Sequence, residues 1–424
     1  MKFVFLSLLL FSSFCHAQQT VGIKFEKKLD WKEIKQKAKK ENKFIFLDAY
    51  TTWCGPCKYM AAKIFPQAQV GDFFNKNFIS VSVQIDKTKK DNESIKSWYK
   101  DADMIAKTYK INAYPTYLFF NKNGDLVHSI TGASSNANDF IAKAKEALNP
   151  KTQYSNLKSE YINGKRDSSF LLSLISATIA AGDDSLLHIY INNYFATQND
   201  LLTPQNIKLI AQGTTKSSDI GFNILLKYPK EVEAIIGKEE RFRILNIIAF
   251  DEEIFPIIMI NGKKTVYGGG LSIYGGGEMN KNVNWSAIKT KLNLKYNDLA
   301  EQIIFNGKLK YYDWLEDWVN FNNLLLNYTS EGNNVDTALI NNMAGKLLQD
   351  CKDKKYFQSA INWASILVEN KEHPYYLQTY SLLLYKAGEN DLAIRYMKEY
   401  ASLLKNAESI NETIKKMKKG EEIE

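Results

Sequence analysis

Cys54-Gly55-Pro56-Cys57 constrains this chain more than any other feature. It lies between a short continuous apolar run, Phe44-Ile45-Phe46-Leu47, and a helical pattern from Tyr59 to Phe65. An apolar run of that length reads as a buried strand. A thiol at the following helix N-terminus meets the positive end of the helix dipole and unpaired N–H groups. Both favour thiolate, which is the nucleophile. Two intervening residues let the sulfurs meet and close a small disulfide ring. Gly55 permits the close turn, and Pro56 fits the first helical turn, where its missing N–H costs little. The spacing predicts Cys54 at an exposed helix tip as attacking nucleophile, and Cys57 one turn in, partly buried, as resolving thiol. Zinc is the rival use of such a pair. The whole supply is four Cys (15, 54, 57 and 351) and four His (16, 128, 188 and 373), with no second pair and no His beside the first. Neither a metal nor a cofactor is expected.

The flanking sequence alternates strand and helix. Asp30-Trp31-Lys32-Glu33 has the form of a capping box, followed by Trp31, Ile34 and Ala38 at helical spacing. Phe78 to Ile85 reads as a strand ending at Asp86, and a helical pattern follows through Met104 to Tyr109. Tyr117–Phe120 and Leu126–Ile130 flank Asn121-Lys122-Asn123-Gly124 and read as a hairpin. Phe140 to Leu148 is an amphipathic helix stopped at Asn149-Pro150.

Trp53-Cys54-Gly55-Pro56-Cys57-Lys58 resembles the active-site sequence of the thioredoxin family at every position. Asp48 falls where that family keeps a buried acid, and Ala113-Tyr114-Pro115-Thr116 is similar to its cis-proline segment. Gly124 and Thr131-Gly132-Ala133 also correspond to family positions. The resemblance covers roughly residues 24–149. It implies an α/β thioredoxin fold, a central mixed sheet flanked by helices. It implies Cys54 and Cys57 as the catalytic pair with Asp48 as proton acceptor for Cys57. Trp53, Gly55, Pro56, Tyr114 and Pro115 are the expected substrate-binding residues. Two departures stand out. The stretch from Asp86 to Pro115 is long, which predicts a helical insert around Asn92–Asp103. Ser82 stands where the family usually places a lysine beside the buried acid, so Asp48, desolvated without a cation, should hold its proton to a raised pKa.

At the N-terminus, Lys2 is followed by an apolar run from Phe3 to Phe14 and then Cys15-His16-Ala17. This describes a secretory signal peptide cut after Ala17. The run is too short to span a bilayer, which takes ~20 residues. Lipid modification at Cys15 is the other reading, with bulky Phe14 against it; an uncleaved anchor is a third. The expectation is an exported protein in a bacterial periplasm, where thiols oxidise easily.

After Pro150 strand signals nearly vanish. Phe170 to Ala181 repeats at helical spacing and ends at Gly182, and Thr203-Pro204 marks another helix start. Leu347 and Tyr380, Ala360 and Ala393, and Ile361 and Ile394 are pairs 33 residues apart. Two helical patterns from Tyr375 to Leu403 join through Ala387-Gly388-Glu389-Asn390. This resembles tetratricopeptide repeats, whose period is ~34. Cys351 falls in the same helical pattern and reads as a small core residue. Tyr267-Gly-Gly-Gly and Tyr274-Gly-Gly-Gly interrupt the helices; the spacing does not fit a phosphate loop, so a linker or hairpin is expected. The boundaries are therefore 1–17 signal peptide, 18–150 thioredoxin-like domain, 151–260 helical, 261–282 glycine-rich and 283–424 helical with repeats.

The net charge of +8 comes from Lys rather than Arg: Arg occurs only at 166, 241, 243 and 395. Arg supplies the bidentate fork for bases and phosphates, so no nucleic-acid partner is expected. The implied function is an exported thiol–disulfide oxidoreductase that reduces or isomerises protein disulfides through a mixed disulfide. Its partners would be protein disulfide substrates and an electron donor, a membrane-embedded reductase. The alternative is a scaffold whose helical region binds a protein partner and whose thioredoxin-like domain is a docking module.

Overall fold

A computed structural model describes residues 22–266, 272–330, 335–369 and 373–423. The expected signal segment and Cys15 lie outside the described residues, as does Tyr267-Gly268-Gly269-Gly270. By compactness the chain divides into two units. One runs to Ile244 and includes Lys264–Tyr274; the other takes Leu245–Lys263 and resumes at Gly275. The helices from 151 to 244 thus share a unit with the sheet domain.

That unit is built around a four-stranded sheet. Its strands are β1 (Phe44–Tyr50), β2 (Phe78–Gln84), β3 (Thr116–Phe120) and β4 (Leu126–Thr131), in the order β2-β1-β3-β4. β1 runs parallel to β2 and antiparallel to β3, and β3 and β4 form the expected hairpin. The helices are α1 (Trp31–Glu41), α2 (Gly55–Tyr59), α3 (Ala68–Asn77), α4 (Glu93–Ser97), α5 (Tyr99–Thr108) and α6 (Ala137–Glu146). The Asp30–Glu33 capping box starts α1, with both reciprocal bonds made. α2 runs straight into a π-helical turn, Met60–Ile64.

β1 is apolar on both sides because both faces of the sheet are covered. Ile45, Leu47 and Ala49 join Trp31, Ile34, Ala38, Ala102 and Ile105 on one face. Phe46 turns to the other, among Met60, Ile64, Phe74, Tyr117 and Phe140. Phe74 stacks on Phe140 at 4.8 Å and meets Phe46 edge-on at 4.7 Å. Such ring pairs add about 0.5–1.5 kcal/mol each beyond burial.

Both sheet edges are closed. On the β2 side, Glu26 N–H donates to Ser80 O (2.8 Å). On the β4 side the cover comes from α7 (Tyr154–Ile162) and α8 (Ser168–Ala181). Ser155 Oγ donates to Val127 O (3.0 Å), and Tyr154 N–H donates to His128 Nδ1 (3.2 Å). An exposed edge invites pairing with another chain, and this cover prevents it. The unit continues through α9 (Asp184–Phe195), α10 (Pro204–Gly213), α11 (Ile220–Lys227) and α12 (Pro229–Ile236) into the first half of α13 (Lys238–Ala249). Thr203 caps α10 with Pro204 at its first turn.

The second unit is largely helical. It holds a π-helical turn at Phe250–Ile254, then α14 (Phe255–Ile258), α15 (Trp285–Tyr296), α16 (Ala300–Trp314) and α17 (Trp318–Ser330). There follow α18 (Thr337–Asp350), α19 (Lys354–Ala364), α20 (Ile366–Glu369), α21 (Tyr375–Ala387), α22 (Asn390–Ser402) and α23 (Glu408–Lys419). The 33-residue pairs fall on corresponding helices, α18 with α21 and α19 with α22. Leu347, Tyr380, Ala360 and Ala393 are all buried. Small Ala393 lets α22 approach α21, where Ser381 Oγ donates to its carbonyl (2.7 Å). Cys351 is buried at the C-cap of α18. Around the glycine-rich stretch lie short strands: β5 (Met259–Ile260), β6 (Lys263–Val266), β7 (Ser272–Gly275) and β8 (Glu278–Met279). They pair as β5-β8 and β6-β7.

Candidate functional site

β1 delivers the chain to the site. After Tyr50, Thr51 and Thr52 lead to Trp53 and the N-cap of α2, Cys54. Thr52 is anchored to Asp86, just beyond β2: its N–H donates to Asp86 Oδ1 (2.9 Å) and its hydroxyl to Asp86 Oδ2. β1 and β2 run parallel with Tyr50 opposite Gln84, so two residues further on Thr52 and Asp86 meet. The β1–β2 register carries this contact, and no local sequence pattern signals it.

Cys54 and Cys57 are joined by a disulfide. Cys57 N–H points at Cys54 Sγ (3.1 Å), so the helix end addresses the first sulfur directly. The expected contrast in exposure is absent: Cys54 is 3% and Cys57 6% exposed. The first sulfur bends back over the helix end to accept that N–H instead of projecting from the tip. Gly55 and Pro56 are exposed, and Trp53 is 68% exposed.

The Tyr114–Pro115 peptide bond is cis. Pro115 is buried, and its carbonyl accepts from Gly132 N–H (2.8 Å), which ties the proline segment to the end of β4. Tyr114 meets Trp53 edge-on at 5.8 Å, so the structure brings these two expected docking aromatics together. Tyr59 OH donates to Ser135 O (3.1 Å) and fixes the loop after β4 against the helix.

Asp48 is buried on β1, opposite Ser82 on β2 and Tyr117 on β3. Burial pushes its carboxyl up to about 7, partly opposed by a hydrogen bond from Ser82 Oγ to Oδ2 (2.8 Å). A neutral donor replaces a cation here. It steadies carboxylate by a hydrogen bond without charge compensation, so the proton stays on to near neutrality. Ser82 is itself exposed, which leaves the buried carboxyl one hydrogen bond from water.

The long stretch after Asp86 is organised by Asp91. It accepts from Gln84 Nε2 (3.0 Å), Thr88 N–H (2.8 Å), Thr88 Oγ1 (2.6 Å) and Tyr99 OH (2.6 Å). These bonds hold its carboxyl well below the usual range. The insert before α5 is thus a fixed loop plus short α4.

A four-stranded sheet with this order, a disulfide at the tip of the helix after its central strand, and a cis-proline just before β3 define a thioredoxin-fold domain with a dithiol centre. The sequence profile of the thioredoxin-like domain matches residues 31–148. The chain is 34% identical over 97 residues to thioredoxin-2 of Pyricularia oryzae, covering 23% of this chain and 46% of that one. It is 30% identical over 95 residues to a thioredoxin of Echinococcus granulosus, covering 22% of this chain and 71% of the relative. Among solved structures, thioredoxin F from spinach chloroplast is 25% identical, with 31% of this chain and 97% of that chain covered and a TM-score of 0.21. The chain belongs to the thioredoxin family. It spans about half the length of the Pyricularia relative, and the family profile lies on residues 31–148, in the sheet domain.

Proposed function

We propose that the protein is an exported thiol–disulfide oxidoreductase that reduces or isomerises protein disulfides. The observation that carries this is the Cys54–Cys57 disulfide closed over the N-terminus of α2, on the strand-to-helix turn that follows buried Asp48. In the reducing direction Cys54 thiolate attacks one sulfur of a client disulfide. A Cys54–client bond forms and the client's other sulfur leaves as thiolate. Cys57 then loses its proton, to Asp48 or water, and attacks Cys54 Sγ. The Cys54–Cys57 bond forms, the client's second thiolate departs, and two electrons have passed from the dithiol to the client. Asp48 with a pKa of about 7 is matched to taking that proton near neutral pH. Trp53, Tyr114 and cis-Pro115 offer the apolar and backbone surface on which the client lies, beside exposed Gly55 and Pro56. The oxidised pair is returned to dithiol by an electron donor, for which a membrane-embedded reductase suits an exported protein. Export is supported by the apolar start and Cys15-His16-Ala17.

The test is a trap. Without the resolving thiol, Cys57→Ser should accumulate a mixed disulfide with insulin, seen on a non-reducing gel and dissolved by dithiothreitol. Cys54→Ser should form none. Equal adducts on both variants, or on neither, would contradict the assignment.

A further inference from the structure

Thr131 ends β4 one residue before Gly132, which is hydrogen-bonded to the carbonyl of cis-Pro115. Thr131 Oγ1 donates to Ala181 O (2.9 Å), the last residue of α8. Gly182 follows in the left-handed region (φ +67°), and a Cβ there would stand 3.0 Å from Thr131 Oγ1 and 3.1 Å from Thr131 Cβ. The corner between α8 and α9 is therefore in contact with the residue that precedes the proline-facing loop. It is pinned from a third element as well: Asp183 Oδ2 accepts from Tyr154 OH (2.7 Å) and Lys158 Nζ (3.3 Å), both on α7. Thr131, Gly132, Ala181, Gly182 and Asp183 are all partly exposed, Ala133 is exposed, and Ile179 is 42% exposed. Partly exposed residues thus link the loop hydrogen-bonded to cis-Pro115, through Gly132 and Thr131, to the corner of the helical annex.

A client held on Cys54 has chain on both sides of its reacting cysteine. At roughly 3.3 Å per extended residue, three or four residues reach 10–13 Å. Strand addition beside β4 is opposed by α7 and α8 packed along that strand, with Ser155 Oγ already on the Val127 carbonyl. The partly exposed Gly132 and exposed Ala133 beside the proline segment offer the client chain another path. We propose that the 181–183 corner forms a rim of the client-docking surface. It touches polypeptide a few residues from the reacting cysteine and so favours protein disulfides over small-molecule disulfides. This rests on the oxidoreductase reading. The annex is then part of the docking surface and not only a structural extension of the sheet domain.

The test compares substrates of different reach. Pre-reduced protein is mixed with insulin or with 5,5′-dithiobis(2-nitrobenzoic acid), and single-turnover rate constants are measured. Ala181→Arg adds bulk and charge on the corner, and a cation in the last turn suits the helix dipole. It should lower the insulin rate at least roughly fivefold and leave the small-disulfide rate within about twofold, because only a polypeptide reaches the corner. Ala181→Gln should give an intermediate loss with insulin alone. Insulin rates that match wild type in both variants would overturn the rim, as would equal losses with both substrates. Wild type inert toward both substrates would instead overturn the oxidoreductase reading, and the rim with it.

Discussion

At the dithiol end of the sheet β1 buries a carboxyl, and at the covered edge β4 buries an imidazole. Asp48 is pushed up to about 7 and His128 down to about 4, each because burial disfavours its charged form. Their surroundings differ. Asp48 has an exposed serine as donor and so a way to exchange its proton. His128 accepts from Tyr154 N–H through Nδ1, which places its proton on Nε2. That nitrogen has no hydrogen-bond partner, since Glu146 Oε2 lies 3.8 Å away. One group is poised to change charge and the other is locked neutral. Burial alone does not mark a reacting group; burial with a route to water and a neighbouring dithiol does.

The largest effect separates the chemistry from the scaffold. Cys54→Ser should abolish turnover of a protein disulfide and leave the His128 junction intact. A melting curve against pH on this variant should match the reduced wild type.

Next is the pH dependence of stability. The folded state holds the Asp48 proton that the unfolded chain releases between about 4 and 7. This group therefore contributes about 4 kcal/mol below pH 4 and loses it as pH rises to 7. His128 acts the other way. The unfolded chain takes up its proton below about 6.5 and the folded state refuses it until about 4, so about 3 kcal/mol present above pH 6.5 is lost as pH falls. Between pH 4 and 6.5 the two slopes nearly cancel. Asp48→Asn should expose the His slope, with the stability difference from wild type growing in favour of the variant up to pH 7. His128→Asn keeps an acceptor for Tyr154 N–H and should expose the opposite slope. Denaturant unfolding of the oxidised protein at pH 4.5, 6 and 8 reads both; curves parallel to wild type would contradict the placement of either group. Asp48→Asn should also flatten the pH profile of the resolving step near 7.

The smallest expected effect is at Ser82. Ser82→Ala removes a bond that favours carboxylate, worth about 0.5–1.5 kcal/mol. The midpoint of the resolving step should move up by about half to one pH unit. A profile that does not move would remove Ser82 from the control of Asp48.

The sequence made the local grammar legible. The capping box at Asp30, the apolar run of β1, the hairpin around Gly124 and the helix stop at Gly182 each rest on neighbours a few residues apart. The dithiol was legible because its spacing and its place between strand and helix carry chemistry by themselves. What stayed hidden depends on distant pairs. Thr131 with Ala181, Val127 with Ser155 and Thr52 with Asp86 follow from strand order and helix docking, which no local pattern encodes. The low exposure of Cys54 depends on how its sulfur turns at the helix end, and the neutral support of Asp48 depends on the β1–β2 register. The glycine-rich stretch left linker and hairpin open because composition alone does not pair strands; short strand pairs form on either side of it.

The central claim is two-electron exchange at one cysteine pair. Fully reduced protein should be mixed with one equivalent of insulin disulfide, quenched with iodoacetamide and weighed intact. The account expects Cys54 and Cys57 to lose both alkylation sites together as the insulin chains gain two, with Cys351 unchanged. Insulin thiols appearing while Cys54 and Cys57 stay alkylatable, or no exchange at all, would contradict it.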